Sequence, residues 1–190
     1  MSEKKGKPLG MRIGESVFSA GYLIFAVIAF FIFLNRNAHV VGTDYYSLAA
    51  LMTLLLVAGD AVHLIPRIYY NLLGEPQTAE GTKKKNILMG AGTLASSIGM
   101  TLFYLCLYFV MSRLGPQAIA GTAANVIIAV LVLSSIIRIL LCLHRENNWF
   151  APEGNEKWAL YRNIPFIIMG AITVCYLFAC YHETILALLV

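Results

Sequence analysis

Five stretches of this chain stay apolar for longer than a water-facing helix tolerates, and most of the few charges fall between them. They run over residues 15–34, 45–67, 86–111, 118–143 and 164–190. Each reaches the about 20 residues needed to cross the hydrocarbon of a bilayer. Lipid offers no partner for backbone N–H and C=O groups, so runs of this length fold as helices that satisfy their own backbone. Composition agrees: 59% of the 190 residues are hydrophobic and 13% charged, where a soluble domain carries roughly a quarter charged residues. The reading is an all-α, polytopic integral membrane bundle of about five transmembrane helices in the cell membrane. A basic segment, 1–14, precedes a single domain, 15–190.

Basic residues in short loops are retained on the cytoplasmic side, and their distribution sets the expected orientation. One side collects Lys4, Lys5, Lys7, Arg12, Arg67, Lys83, Lys84, Lys85, Arg138, Arg145, Lys157 and Arg162; the other has Arg36 and Arg113. The N-terminus is therefore expected in the cytoplasm and the C-terminus outside. The basic start resembles that of a signal peptide, but the apolar run behind it is long and lacks a clear small-residue cleavage site. It is expected to remain as the first helix. The basic residues interrupt spans and form no continuous stripe with aromatics, so no nucleic-acid partner is expected. Cys106, Cys142, Cys175 and Cys180 lie in apolar runs without CxxC spacing and read as small core hydrophobes.

The two long connections are expected on the cytoplasmic side. The first, near Asn71 to Lys85, reads as a turn-rich linker. The second, His144 to Asn163, mixes Asn147, Asn148, Trp149, Phe150, Trp158 and Tyr161 with charges, in the manner of a segment at headgroup depth. It reads either as an interfacial anchor or as a lid over a site.

A charge in hydrocarbon costs about 2.5–3.5 kcal/mol even on the gentlest scale, so each needs a partner, a cavity or a route to the interface. The sharpest case is the second span, where Asp60, His63 and Arg67 share one helical face. With 1.5 Å of rise per residue, Asp60 sits about 10 Å deeper than Arg67. Other spans bring polar groups to the same half: Glu15, Ser19 and Tyr22; Gly90, Thr93, Ser97, Thr101, Tyr104 and Tyr108; Ser134, Ser135 and Arg138, with His144 and Arg145 at the mouth; and Arg162 with Asn163. The ordinary alternative is membrane glue. Polar contacts hold helices together, Gly92 with Ser96 lets backbones approach, and arginines snorkel to lipid phosphates.

Asp60 one turn from His63 is an arrangement in which a carboxylate can orient an imidazole for acid–base work. The same pair with Glu15 or His144 resembles a metal-ligand set, but Arg67 and Arg138 would oppose a cation, so neither metal nor cofactor is expected. Those arginines favour an anionic head group. The expected site is Asp60 and His63 as the chemical pair, with Glu15, Arg67, Ser97, Arg138, His144, Asn148, Trp149 and Asn163 lining the ligand's place.

Gly59 and Asp60 near the inner end of a span, followed by a span with Gly92 and the aromatics Phe103, Tyr104 and Tyr108, resemble part of the lysoplasmalogenase family. The resemblance covers the second and third spans. It implies a multi-helix membrane enzyme that cleaves the vinyl ether of lysoplasmalogens, with Asp60 at the position of an implicated intramembrane aspartate. The chain departs from that family in having fewer spans, and in carrying Ser134 and Ser135 where a second aspartate would stand.

Three functions fit these features. One is an enzyme or binding protein for a lipid-like, anionic amphipath, with membrane lipids as partners. The others are a proton-coupled transporter or transporter subunit, and a structural or sensory adaptor. A homo-oligomer is compatible with each. The orientation yields the first prediction: a cysteine placed at Lys84 is labelled by an impermeant reagent from the cytoplasm only, and labelling from outside overturns the assignment.

Overall fold

The computed structural model describes residues 8–39, 44–74, 76–114, 121–152 and 154–189, with side chains described from residue 8 to 36 in the first segment, from 45 in the second and to 181 in the last. The helices are α1 (Leu9–His39), α2 (Asp44–Leu73), α3 (Ala79–Leu114), α4 (Thr122–Leu143) and α5 (Glu156–Leu189), with one 3-10 turn, Arg145–Asn147, between the last two. All five are long and apolar enough to cross a membrane, as expected of an all-helical integral membrane protein. There is no strand among the described residues.

Four helices begin or end outside the expected limits, for local reasons. Pro66 lies inside α2 and does not end it. The helix continues to Leu73 and stops at Gly74, whose φ of 94° closes the last turn with its N–H donating to the Tyr70 carbonyl at 3.1 Å. Pro165 is likewise interior to α5, which starts eight residues ahead of the expected limit, at Glu156. Asn155 caps that start, its side-chain oxygen accepting from the N–H groups of Lys157 at 3.1 Å and Trp158 at 3.4 Å. Trp158, Tyr161 and Arg162 therefore stand on a helix and not on a loop. At 36 residues α3 is about 54 Å long, well beyond a hydrocarbon core, so its charged first turns project past the membrane. There Glu80 and Lys84 pair at 2.7 Å. The fourth expected span starts at Ala118, which lies outside the described residues, as do the side chains of His182 and Glu183.

Helix α3 is the hub, packing on α2, α4 and α5, while α1 leans on α2. Neighbours run antiparallel: the start of α1 is tied to the end of α2 by Arg12, whose Nε donates to the Asn71 carbonyl at 2.7 Å. One end of the bundle thus carries Arg12, Arg67, Lys85, Arg145 and Arg162 and is called the basic end below. Toward the opposite end, Tyr108 and Met111 of α3 pack with Leu131 of α4 and Met169, Tyr176 and Cys180 of α5 as the buried apolar core. The Tyr181 hydroxyl donates to the Met111 carbonyl at 2.8 Å. The outward face of α1, including Phe18, Phe25 and Phe31, is exposed. In water that would be an aggregation surface; in a bilayer it faces lipid.

Glycines set the α2–α3 spacing. A Cβ on Gly92 would stand 2.6 Å from both the His63 Cα and the Val62 carbonyl oxygen, and one on Gly99 would stand 2.9 Å from the Leu55 carbonyl oxygen. Val62 is four residues before Pro66, so its carbonyl has lost its helical N–H partner, and the Gly92 backbone packs against that oxygen. The hydroxyls of α3 are mostly absorbed by their own helix: Thr93 donates to the Met89 carbonyl at 2.8 Å, Ser97 to Thr93 at 2.7 Å and Thr101 to Ser97 at 2.8 Å. Gly92→Val is expected to lower stability in detergent by about 1–3 kcal/mol, the usual cost of overpacking. Gly21→Ala, with nothing within 4 Å of the added atom, is expected to leave it unchanged or raised. Equal melting of the two variants would contradict the close contact.

Candidate functional site

Helix α3 divides the polar interior of the basic end into two halves. On the α1–α2 side, both carboxylate oxygens of Asp60 are engaged. The Tyr22 hydroxyl of α1 donates to Oδ2 at 2.6 Å, and the Ser96 hydroxyl of α3 donates to Oδ1 at 2.6 Å. Both lie at the short end of the O–H···O range. One carboxyl group thus ties three helices together. The close approach of α2 to α3 makes the clamp short enough, since Gly59, adjacent to Asp60, lies against the α3 backbone at Ala95 and Ser96.

His63, one turn along, turns to Thr93 instead of Asp60, with Nδ1 3.5 Å from the Thr93 hydroxyl oxygen. That hydroxyl donates to the Met89 carbonyl at 2.8 Å, so its oxygen faces His63 as an acceptor. Arg67 lies 3.5 Å from Glu15 Oε2, and Asn71 Nδ2 donates to the same oxygen at 3.3 Å. Glu15, Phe18, Ser19, Tyr22, Leu64 and Arg67 line an open groove of about 420 Å³ between α1 and α2. Its walls are apolar, the Glu15–Arg67 ion pair stands at its mouth, and the Tyr22 ring leads to Asp60.

On the other side of α3 lies a cavity of about 470 Å³. Its walls come from the first half of α3, the 144–155 connection and the start of α5, with Thr93, Asn147, Trp149 and Arg162 among the lining residues. The connection is tightly built. Asn147 is 1% exposed, and its amide donates to the carbonyls of Leu141 at 2.6 Å and His144 at 2.9 Å, adding to the backbone N–H that each already accepts at the exit of α4. Trp149 Nε1 donates to the Cys142 carbonyl at 2.7 Å. Asn148 adopts the left-handed conformation at φ 51° that lets the chain reverse after the 3-10 turn. Gly90 admits the Trp149 carbonyl directly against α3, where any side chain would collide with it.

Two arginines underlie this half. Arg162 Nη1 donates to Asn147 Oδ1 at 2.8 Å, and its guanidinium lies over the Trp149 ring at 4.2 Å. Arg138 is 4% exposed, its guanidinium 3.5 Å over the Phe166 ring. Its Nε and Nη1 atoms are buried without a hydrogen-bond partner. Buried ionic N–H groups left without an acceptor are costly and call for an explanation.

The expected residues are therefore distributed, not assembled at one point. Asp60, His63, Glu15 and Arg67 gather on the α1–α2 side, while Asn148 and Trp149 line the second cavity, with Arg138 beneath it. Ser97 spends its hydroxyl inside α3, and Ser96, one residue earlier, meets Asp60. His144 stacks on Trp158 at 4.0 Å and accepts from the Glu146 N–H, which makes it a cap at the exit of α4. Asn163 is exposed on α5, away from both cavities. Arg162, Asn147 and Tyr22 were not among the expected site residues. The signal for the first two was an arginine just ahead of a span, fifteen residues after an asparagine in a polar turn, which sequence spacing alone does not pair.

Among the described residues no three His, Cys, Asp or Glu side chains converge as metal ligands. No family model, curated protein or solved structure matches the chain. The likeness to lysoplasmalogenases accordingly rests on Gly59, Asp60, Gly92 and the aromatics of α3 alone.

The Asp60 clamp makes a stability prediction. Tyr22→Phe and Ser96→Ala each remove one donor and are each expected to lower stability by about 0.6–1.7 kcal/mol, the range of interhelical hydrogen bonds in membranes. In the Asp60→Asn background both effects are expected to shrink. Additive losses in a double-mutant cycle would show that the hydroxyls and the carboxylate do not act together.

Proposed function

We propose that this chain is a multi-pass protein of the cell membrane that takes an amphipathic, lipid-like molecule from the cytoplasmic leaflet into the α1–α2 groove, where its polar end meets Asp60 and His63. The observation that carries the reading is the groove itself. It is open between two apolar helices, and Tyr22, one of its lining residues, has its hydroxyl bonded to the Asp60 carboxyl. A volume of about 420 Å³ falls within the range of small-molecule sites. An apolar chain gains by lying against Phe18 and Leu64, which are otherwise covered only by lipid. The head group reaches the Glu15–Arg67 pair and, behind it, a carboxylate and an imidazole that can move a proton between them and the ligand.

The α2 face gives the chemistry its order. Asp60 is held by two hydroxyls and so keeps a fixed position. His63 keeps a ring nitrogen with a lone pair, which suits it to accept a proton. Transport has less support, since α1 to α5 are each continuous and Pro66 and Pro165 sit toward the basic end, leaving no half-helix at mid-membrane.

The test uses a single-chain lipid carrying a photoreactive diazirine, added to the protein in bilayer nanodiscs. Crosslinks are expected on Phe18, Tyr22 or Leu64, and Leu64→Trp, which fills the groove, is expected to abolish them. If Asp60 and His63 act on the ligand, Asp60→Asn still captures the lipid, and the lipid recovered from it is chemically unchanged while that from the parent protein is altered. Crosslinks scattered evenly over the lipid-facing surface would remove the proposal.

A further inference from the structure

We propose that Arg138 and Arg162 form a second binding site, separate from the α1–α2 groove, which takes a phosphate group beneath the cavity closed by the 144–155 connection. Arg162 stands one turn before Phe166 on α5, and Phe166 is the ring that holds Arg138, so the two guanidiniums meet the same stretch of the bundle. Both are held the same way, face-on to an aromatic ring: Arg138 over Phe166 at 3.5 Å and Arg162 over Trp149 at 4.2 Å. A ring face holds a cation in place but takes none of its in-plane N–H groups. Those edges are therefore left for something else. For Arg138 they are Nε and Nη1, both buried and without partner. For Arg162 one edge atom, Nη1, goes to the neutral amide of Asn147, which fixes its direction without neutralising it.

The neighbours of Arg138 do not supply the missing charge. Among the described residues the groups that act on it include the Cys142 thiol, which hydrogen-bonds it, Tyr104 and the Phe166 ring, and none of these is a carboxylate. Glu156 lines the rim of the cavity, as does Lys85 across from it, but Glu156 is six residues before Arg162 on α5, about 9 Å along the axis. Two guanidiniums of like charge, one of them with buried N–H groups unmet, are stabilised when an anion lies between them. One guanidinium fork saturates a planar carboxylate. Two forks from different helices suit a tetrahedral anion, whose several oxygens accept from both at once. The rigid surroundings fit a site more than a tether: Asn147 and Trp149 are both anchored to the end of α4, so Arg162 is aimed before any ligand arrives.

A phosphate group reaches such a place as soluble phosphate or as a lipid head. Both sources are tested with the full chain in maltoside micelles, which contain no phosphorus. Thermal unfolding is followed with sodium phosphate against sodium chloride at equal ionic strength, and separately with phosphatidic acid against diacylglycerol in the micelle. The parent protein is expected to melt higher in one of these arms, since a ligand that binds only the folded state stabilises it. A rise with inorganic phosphate identifies a soluble phosphate group; a rise that requires phosphatidic acid identifies a lipid head. Arg138→Lys and Arg162→Lys keep the charge and lose the fork, and each is expected to weaken the fitted affinity about tenfold. Arg162, being only partly buried, provides the variant expected to fold in any case. Arg113→Gln, at the far end of α3, and Leu64→Trp, in the groove, are expected to leave the response intact, so this site and the groove fail or stand separately. No rise in either arm, or a rise that both lysine variants retain in full, overturns the proposal.

Discussion

The contact on which the rest of this structure depends is the glycine-to-backbone approach of α3 to α2. Helices in a bilayer gain little from burying apolar surface against each other, because lipid is equally apolar, so close van der Waals fit and polar bonds must hold them. Gly59, Gly92 and Gly99 provide the fit by leaving backbone against backbone. The Asp60 bond to Ser96 is a consequence of that distance. With a larger residue at Gly92 the two helices would separate, and a short aspartate side chain on α2 would no longer reach an even shorter serine on α3. The carboxylate would then lose one of the two hydroxyls that make its presence in the membrane tolerable.

From there the architecture follows in order. Helix α1 packs on α2, and Tyr22 closes the clamp from that side. On its other side α3 meets α4 and α5, whose apolar halves pack around Leu131 and Met169 toward the end away from the basic residues. The basic end cannot be sealed in the same way, because α4 stops at Leu143. One buried asparagine and one tryptophan bond to carbonyls at the exit of α4 and turn the following chain into a fixed wall.

The apolar runs were fully legible as helices, because hydrocarbon imposes helical structure on any long apolar segment regardless of detail. Their ends were less so. Pro66 and Pro165 each lie one residue inside an expected limit, yet each helix runs well past its proline, since a proline removes one backbone bond and tertiary packing can cover the freed carbonyl, as Gly92 does for Val62. The shared face of Asp60, His63 and Arg67 was legible from spacing within one helix. What those side chains touch was not, since Tyr22, Ser96 and Thr93 belong to other helices, and the choice of Ser96 over Ser97 depends on how α3 is rotated. Arg67 and Arg138 were both expected to line one ligand's place, at the depth that position along a span sets. Depth says nothing about azimuth, and with α3 standing between α2 and α4 the two arginines have different neighbours.

Gly90 and Gly92 are two residues apart and therefore point about 200° from each other around α3. One meets the Trp149 carbonyl of the connecting segment, the other the backbone of α2 at Val62 and His63. Across this short piece of helix no side chain lies between the three stretches of main chain, so no rotamer change is available as slack. The chain of contacts runs from the Trp149 carbonyl through one turn of α3 to the backbone of His63, so the wall of one cavity and the helix that carries the other's polar face rest on the same two glycines.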